Sequence, residues 1–174
     1  MADVPDQLTL ARHRDLRGRE RRPIVRWFAL GCLGLFCLLG LANLFGQRPR
    51  TDTAESGVAR LDVYSPPRLR SGLYYESRFH IHAREEIEQA TLVLDPGWLE
   101  GMTLNTLEPV PIGEASRNGR LALELGRIPR GGEHIFFLQF QVNPTNVGSR
   151  SQDVELYDGE ERLLAIERTV RVFP

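Results

Sequence analysis

Between Arg26 and Arg48 the chain carries no charged residue, and segment 27–46 (WFALGCLGLFCLLGLANLFG) is almost wholly apolar. Twenty residues at about 1.5 Å each make a helix of roughly 30 Å, the thickness of a bilayer's hydrocarbon core. Its seven Leu and three Phe contribute about −3 to −6 kcal/mol to insertion, enough to outweigh the one Asn43. A transmembrane helix over 27–46 is the expectation, with the lipid bilayer as its first partner. The chain is thereby divided into a short leader and a longer C-terminal part.

Arg retained on the cytoplasmic side sets orientation. Arg12, Arg14, Arg17, Arg19, Arg21, Arg22 and Arg26 precede the span, whereas only Arg48, Arg50 and Arg60 follow it closely. The expected arrangement is a single-pass protein of the cell membrane, N-terminus cytoplasmic and C-terminal domain extracytoplasmic. Residues 1–26, broken by Pro5 and Pro23 and poor in apolar positions, are expected to be disordered; their Arg side chains read first as a topology signal, with contact to anionic inner-leaflet lipids as the alternative. Gly40 and Ala42 have the spacing of a signal-peptidase site, but the 26-residue leader and the length of the apolar run favour an uncleaved anchor. Cys32 and Cys37 are not preceded by the residues of a lipobox, and they stand about 140° apart on a helix. They read as apolar filler, which leaves the outer domain without a disulfide.

Ala42 and Gly46 form a small-xxx-small pair beside Asn43, and Gly31 and Gly34 lie about one turn apart. These five residues are the candidate interface for helix–helix association, as a homo- or hetero-oligomer. Residues 47–57 (QRPRTDTAESG), polar and bounded by Pro and Gly, read as a linker.

Beyond it the pattern changes to short alternating runs separated by turn signals, as in an antiparallel sandwich. Leu61 and Val63 alternate in a first strand. Leu73, Tyr75, Phe79, Ile81 and Ala83 share parity in a second, from Leu73 to Ala83. Ala90, Leu92 and Leu94 form a third, and Met102 to Leu107 a weaker fourth. Residues 108–119 read as a loop whose Asn118-Gly119 opens a fifth strand containing Leu121, Leu123 and Leu125. In the run His134 to Asn143, Phe136, Leu138, Phe140 and Val142 share one face, while Ile135 and Phe137 make the other apolar at its start, which predicts a central strand. Val154 and Leu156 lead to Asp158-Gly159, a hairpin signal, and Leu164 to Val172 reads as one last long strand. The expected fold is all-β, an antiparallel sandwich of seven to eight strands over 58–174, after one transmembrane helix.

The order Gly-x-Leu-x-Leu-x-Leu-Gly (Gly119 to Gly126), Ile-Pro-x-Gly-Gly-Glu (Ile128 to Glu133), a long aromatic strand and Val147-Gly148 resembles the immunoglobulin-like, CARDB-type repeat domains of bacterial surface proteins. The resemblance runs from about Gln89 to Pro174 and implies an immunoglobulin-like sandwich, without transferring a function.

Catalytic machinery is hard to place in this chain. A nucleophile with a base and an orienting group needs more than an outer domain without Cys and without a Gly-x-Ser-x-Gly elbow. All 22 basic residues are Arg, so no Lys-containing phosphate loop exists, and no cofactor or enzymatic activity is expected. Residues 47–174 carry fifteen Arg against nineteen Asp and Glu, a net charge of −4, which argues against nucleic acid as a partner. His80 and His82 share a strand face and, with His134 or Glu76, have ligand chemistry suited to a metal. Exposed polar positions are the plainer reading. The clusters Glu85, Glu86, Glu88 and Glu160, Glu161 lack the spacing of a calcium loop. Trp98, after a Pro-Gly turn, is either a buried plug or a contact residue. Two functions remain: a non-enzymatic, membrane-anchored module that presents its domain to a membrane or extracytoplasmic protein, or a small-ligand or metal-binding domain using the His80/His82 face.

Overall fold

The computed structural model describes residues 22–44 and 46–174, which fall into two compact units divided after Phe45. Phe45 and the leader up to Arg21 lie outside the described residues.

The first unit holds helix α1, Arg22–Leu41. Its window Ile24–Leu41 has a mean hydropathy of 2.1 and is long and apolar enough to cross a membrane. The helix is displaced from the expected 27–46, and the backbone explains both ends. Pro23 occupies the first turn, where a missing N–H costs nothing. At the other end Asn43 adopts φ 53°, Leu44 N–H donates to Leu39 O (3.1 Å) and Asn43 N–H to Gly40 O (2.9 Å). This paired closure around a left-handed residue ends a helix, and Asn is one of the few residues that tolerates the conformation. Ala42, Asn43 and Gly46 therefore lie beyond the helix, and of the five expected interface residues only Gly31 and Gly34 are on it.

The second unit contains thirteen strands: β1 (Arg50–Glu55), β2 (Ala59–Ser65), β3 (Arg68–Arg70), β4 (Tyr74–Ala83), β5 (Ile87–Leu94), β6 (Met102–Glu108), β7 (Gly113–Arg117), β8 (Arg120–Ile128), β9 (Glu133–Val142), β10 (Gly148–Ser151), β11 (Val154–Asp158), β12 (Glu161–Ile166) and β13 (Thr169–Phe173). They form two five-stranded antiparallel sheets, ordered β1-β2-β4-β9-β6 and β12-β11-β5-β8-β7, and a small sheet β10-β13-β3 in which β13 and β3 run parallel. The all-β sandwich is as expected; the strand count is higher for identifiable reasons. Part of the expected linker, 50–55, is edge strand β1, where Thr53 Oγ1 donates to Asp62 Oδ1 at 2.5 Å and Ala54 packs on the core. Part of the expected loop is edge strand β7, joined to β8 through Asn118 and Gly119, both at positive φ (54° and 77°), as a type I′ turn requires. Edge strands bury little, so their sequences need no apolar alternation.

The expected last strand is two. At Glu167-Arg168 the chain leaves the sheet of β11 and enters the small sheet, and Arg168 is buried where it crosses. In the hairpin before it, Asp158 pairs with Glu161, so the two loop residues are Gly159 and Glu160 rather than Asp158 and Gly159.

Both large sheets contribute to one core. Phe79 stacks on Phe136 at 4.8 Å, and Trp98 packs against Phe79 (5.2 Å) and Phe140 (5.9 Å). Strand β9 has neighbours on both sides and buries Phe136, Leu138, Phe140 and Val142. Trp98 is fully buried, and its Nε1–H donates to Gln152 O at 3.0 Å. It is a plug and not an exposed contact residue. Gly97 beside it is obligatory, because a Cβ there would stand 1.9 Å from Ser151 O.

Candidate functional site

The pairing of β2, β4 and β9 sets one row of side chains outward: Tyr64 opposite Arg78, and Arg78 opposite Phe137. The next row holds Asp62, His80 and Ile135. The Arg78 guanidinium lies 5.1 Å from the Tyr64 ring centroid and 5.7 Å from that of Phe137. Tyr64, Ile135 and Phe137 remain 38–40% exposed. Among the described residues Arg78 makes no ion pair, so two rings orient its donors and no carboxylate of the domain uses them. Each ring contact at an exposed site is worth about 0.5–1 kcal/mol. An oriented, unpaired Arg between aromatic rings has the composition of an interface hot spot.

One end of this face is closed electrostatically. Arg60 bridges Asp62 (2.9 Å) and Glu55 (3.0 Å), and Arg84 reaches the second Glu55 oxygen at 2.6 Å. Burial alone would raise the Asp62 carboxyl, but hydrogen bonds from Arg60 and Thr53 hold it below its ordinary value. His80 Nε2 is 3.2 Å and His82 Nδ1 3.5 Å from the two oxygens of one carboxylate, Glu133. His134 stands opposite Ile81 on the core-facing side and cannot join them. Glu76 is four residues from His80 along β4, roughly 13 Å away in an extended strand. Among the described residues no three His, Cys, Asp or Glu side chains form a set that could hold a metal ion.

The opposite sheet carries an open groove of about 710 Å³, floored by Ala115, Ala122 and Thr91 and walled by Ile112, Arg117 and Tyr157. Here the cation is engaged: Arg117 stacks 4.0 Å over Tyr157, donates to Gly159 O at 3.0 Å and pairs with Glu160. Beside it, burial would raise the Glu155 carboxyl, yet Arg120, Tyr157 and Arg162 hold it low. The groove is therefore a satisfied surface, in contrast to the face around Arg78.

Sequence reasoning noted Ile135 and Phe137 as apolar residues off the core parity of β9 but took them only as the mark of a central strand. Arg78 is legible in the sequence only as a residue of the outward parity of its strand, and Tyr64 is not singled out. Tyr64 lies off the Leu61/Val63 parity of β2, and that repeated breach of alternation on neighbouring strands was the available signal.

No protein-family model matches the chain, and no curated protein matches it. Among solved structures the chain is similar to the CARDB domain of a Pyrococcus furiosus protein, at 11% identity and a TM-score of 0.42, covering 67% of this chain and 97% of that one. It is also similar to CaCohA2 of Clostridium acetobutylicum, at 12% identity and a TM-score of 0.40, over 60% and 86% of the two chains. A third similar structure is the C-terminal domain of wzt, at 13% identity and a TM-score of 0.40, over 74% and 81%.

Proposed function

We propose that the protein is a membrane-anchored, non-enzymatic interaction module: α1 spans the bilayer with the N-terminus cytoplasmic, and the sandwich binds a partner protein outside. The observation that carries this reading is Arg78, held between Tyr64 and Phe137 on an exposed sheet face without an acidic partner among the described residues. A guanidinium so placed retains donors for a carboxylate or carbonyl, and the flanking rings supply apolar area that loses water on docking. The uncharged run and the Arg-rich leader support the span and its direction. The sandwich itself offers rigid strands on which such a constellation keeps its geometry.

The test has two arms. Resistance to alkaline extraction from native membranes, with a C-terminal tag digestible only from outside, is expected of the anchor; release into the alkaline supernatant would contradict it. For the face, Arg78→Glu should shift the full-length protein in native gels of mild-detergent extracts from a complex to a smaller species, with an unchanged melting temperature. Migration identical to that of the unaltered protein would refute the role of Arg78.

A further inference from the structure

Ten Arg side chains of the domain form ion pairs: Arg50, Arg60, Arg84, Arg117, Arg120, Arg127, Arg130, Arg150, Arg162 and Arg168. Against that background the small sheet is an exception. Strand β13 pairs in parallel with β3, which puts Arg171 directly opposite Arg68, and Phe173 opposite Arg70. All four are exposed, with Phe173 at 41%. None of the three Arg makes an ion pair among the described residues, and strands β3, β10 and β13 contain no Asp or Glu. Two like charges on opposed positions of a strand pair repel each other. This arrangement gains most from an external anion.

Backbone hydrogen bonds fix the positions from which these side chains project. Ser71 N–H donates to Phe173 O at 2.8 Å, and Arg171 N–H to Pro67 O at 3.0 Å. In the amide orientation that satisfies both its polar atoms, Gln47 accepts from Arg70 N–H (3.1 Å) and donates to Tyr74 O (3.2 Å). Gln47 is six residues beyond Leu41, the last residue of α1. Six residues of chain reach roughly 20 Å at most. The chain that leaves α1 thus reaches β3 within six residues.

We propose that the outward face of the small sheet is a lipid-binding surface, on which Arg68, Arg70 and Arg171 engage the anionic phospholipid headgroups of the bilayer that holds α1. The proposal rests on the reading of α1 as a membrane span. Phosphate oxygens match the guanidinium fork, basic residues close to an anionic surface are attracted within a Debye length, and Phe173 supplies apolar area that suits the boundary between headgroups and acyl chains. The lipid is favoured over an acidic protein because the chain that leaves α1 reaches this sheet within six residues, at Gln47.

The test uses the full chain with Cys32 and Cys37 replaced by Ala and a fluorophore on S149C, a position opposite Arg171 on the same sheet. The chain is placed in nanodiscs of phosphatidylcholine alone or of a two-to-one mixture with phosphatidylglycerol, each with a headgroup nitroxide quencher. Quenching is expected to be at least twofold stronger in the mixed discs, and that excess is expected to vanish in 1 M NaCl, where the Debye length is about 3 Å. It should be lost in R68Q/R70Q/R171Q and restored when the three positions carry Lys. Equal quenching in both discs, or an excess in the mixed discs that survives the triple Gln substitution, would overturn the proposal. So would an equal emission change on adding soluble polyglutamate to phosphatidylcholine discs, which would make the face an acidic-protein dock. Failure of the chain to enter discs is read separately from their protein content, and it would overturn the span reading on which the proposal stands.

Discussion

Replacing Asp52 with Ala removes the only carboxylate that pairs with the side chain of Arg168 among the described residues, and Arg168 is only 3% exposed. The pair is long, 3.6 Å from Nε to Asp52 Oδ2, and Arg168 Nε and Nη1 have no hydrogen-bond acceptor. What would remain is a 3.5 Å contact from Nη2 to Ser65 O and the Trp98 ring at 4.9 Å. Burial already pulls this guanidinium below its ordinary value, which marks it as poorly compensated. Removing one partner of a buried pair costs about 3–5 kcal/mol; the retained ring contact, worth up to about 2 kcal/mol when desolvated, places Asp52→Ala near 3 kcal/mol. Arg168→Met behaves differently. It removes the charge, keeps much of the volume, and leaves Asp52 with Arg50 at 2.7 Å, so it should cost about 1 kcal/mol. The double variant should lie close to Arg168→Met alone. Urea melts of the unit Gly46–Pro174, followed by Trp98 fluorescence, give all three values. If Arg168→Met costs as much as Asp52→Ala, the pair is a net stabiliser and the argument from uncompensated burial is refuted.

Phe140→Ala should cost roughly 3–5 kcal/mol, because Phe140 is fully buried between Tyr75 and Trp98, and Gln141→Ala less than half as much; equal losses in urea would show both faces of β9 to be buried. Gly159→Val should cost more than about 1 kcal/mol, since φ is 55° there and a β-branched residue is strained at that angle; a neutral melt would contradict the turn. Burial lowers the His134 pKa below 6.5, so the unfolded chain takes up the proton first as pH falls. The stability gained from neutral His134 is complete above about pH 6.5 and is lost as pH drops through that value toward the folded pKa. The fall in melting temperature across that window should shrink in His134→Gln, and an identical pH profile would exclude His134 as its source.

Much of the sandwich was legible in the sequence. Alternation in β2, β4 and β9 survives because each buries one face, whereas β5 and β8 also bury Val93 and Ala122 off that parity; Phe136, Leu138, Phe140 and Val142 are where period-two reasoning places them. The strands that escaped it are β1, β3, β7 and β10, which are short or lie at sheet edges. Their stability comes from ladder hydrogen bonds, which leave no trace in hydrophobicity. The ends of α1 were displaced because an apolar count registers insertion energy and not backbone geometry, and Asn43 stops the helix through its left-handed conformation. The face around Arg78 depends on the register of three strands, β2, β4 and β9, and alternation within each strand does not say which of them pair. Nothing local to Tyr64 or Phe137 indicates that one guanidinium lies between them.

The central claim is that this face, and not the opposite one, meets a partner protein. A photo-crosslinking residue placed at Phe137, and in a second chain at Thr91 on the opposite sheet, tests it in intact cells expressing the full-length protein. The account predicts one discrete cross-linked species from position 137, lost when Arg78 is changed to Ala, and none from position 91. No adduct at 137, or the same species from both positions, would contradict it.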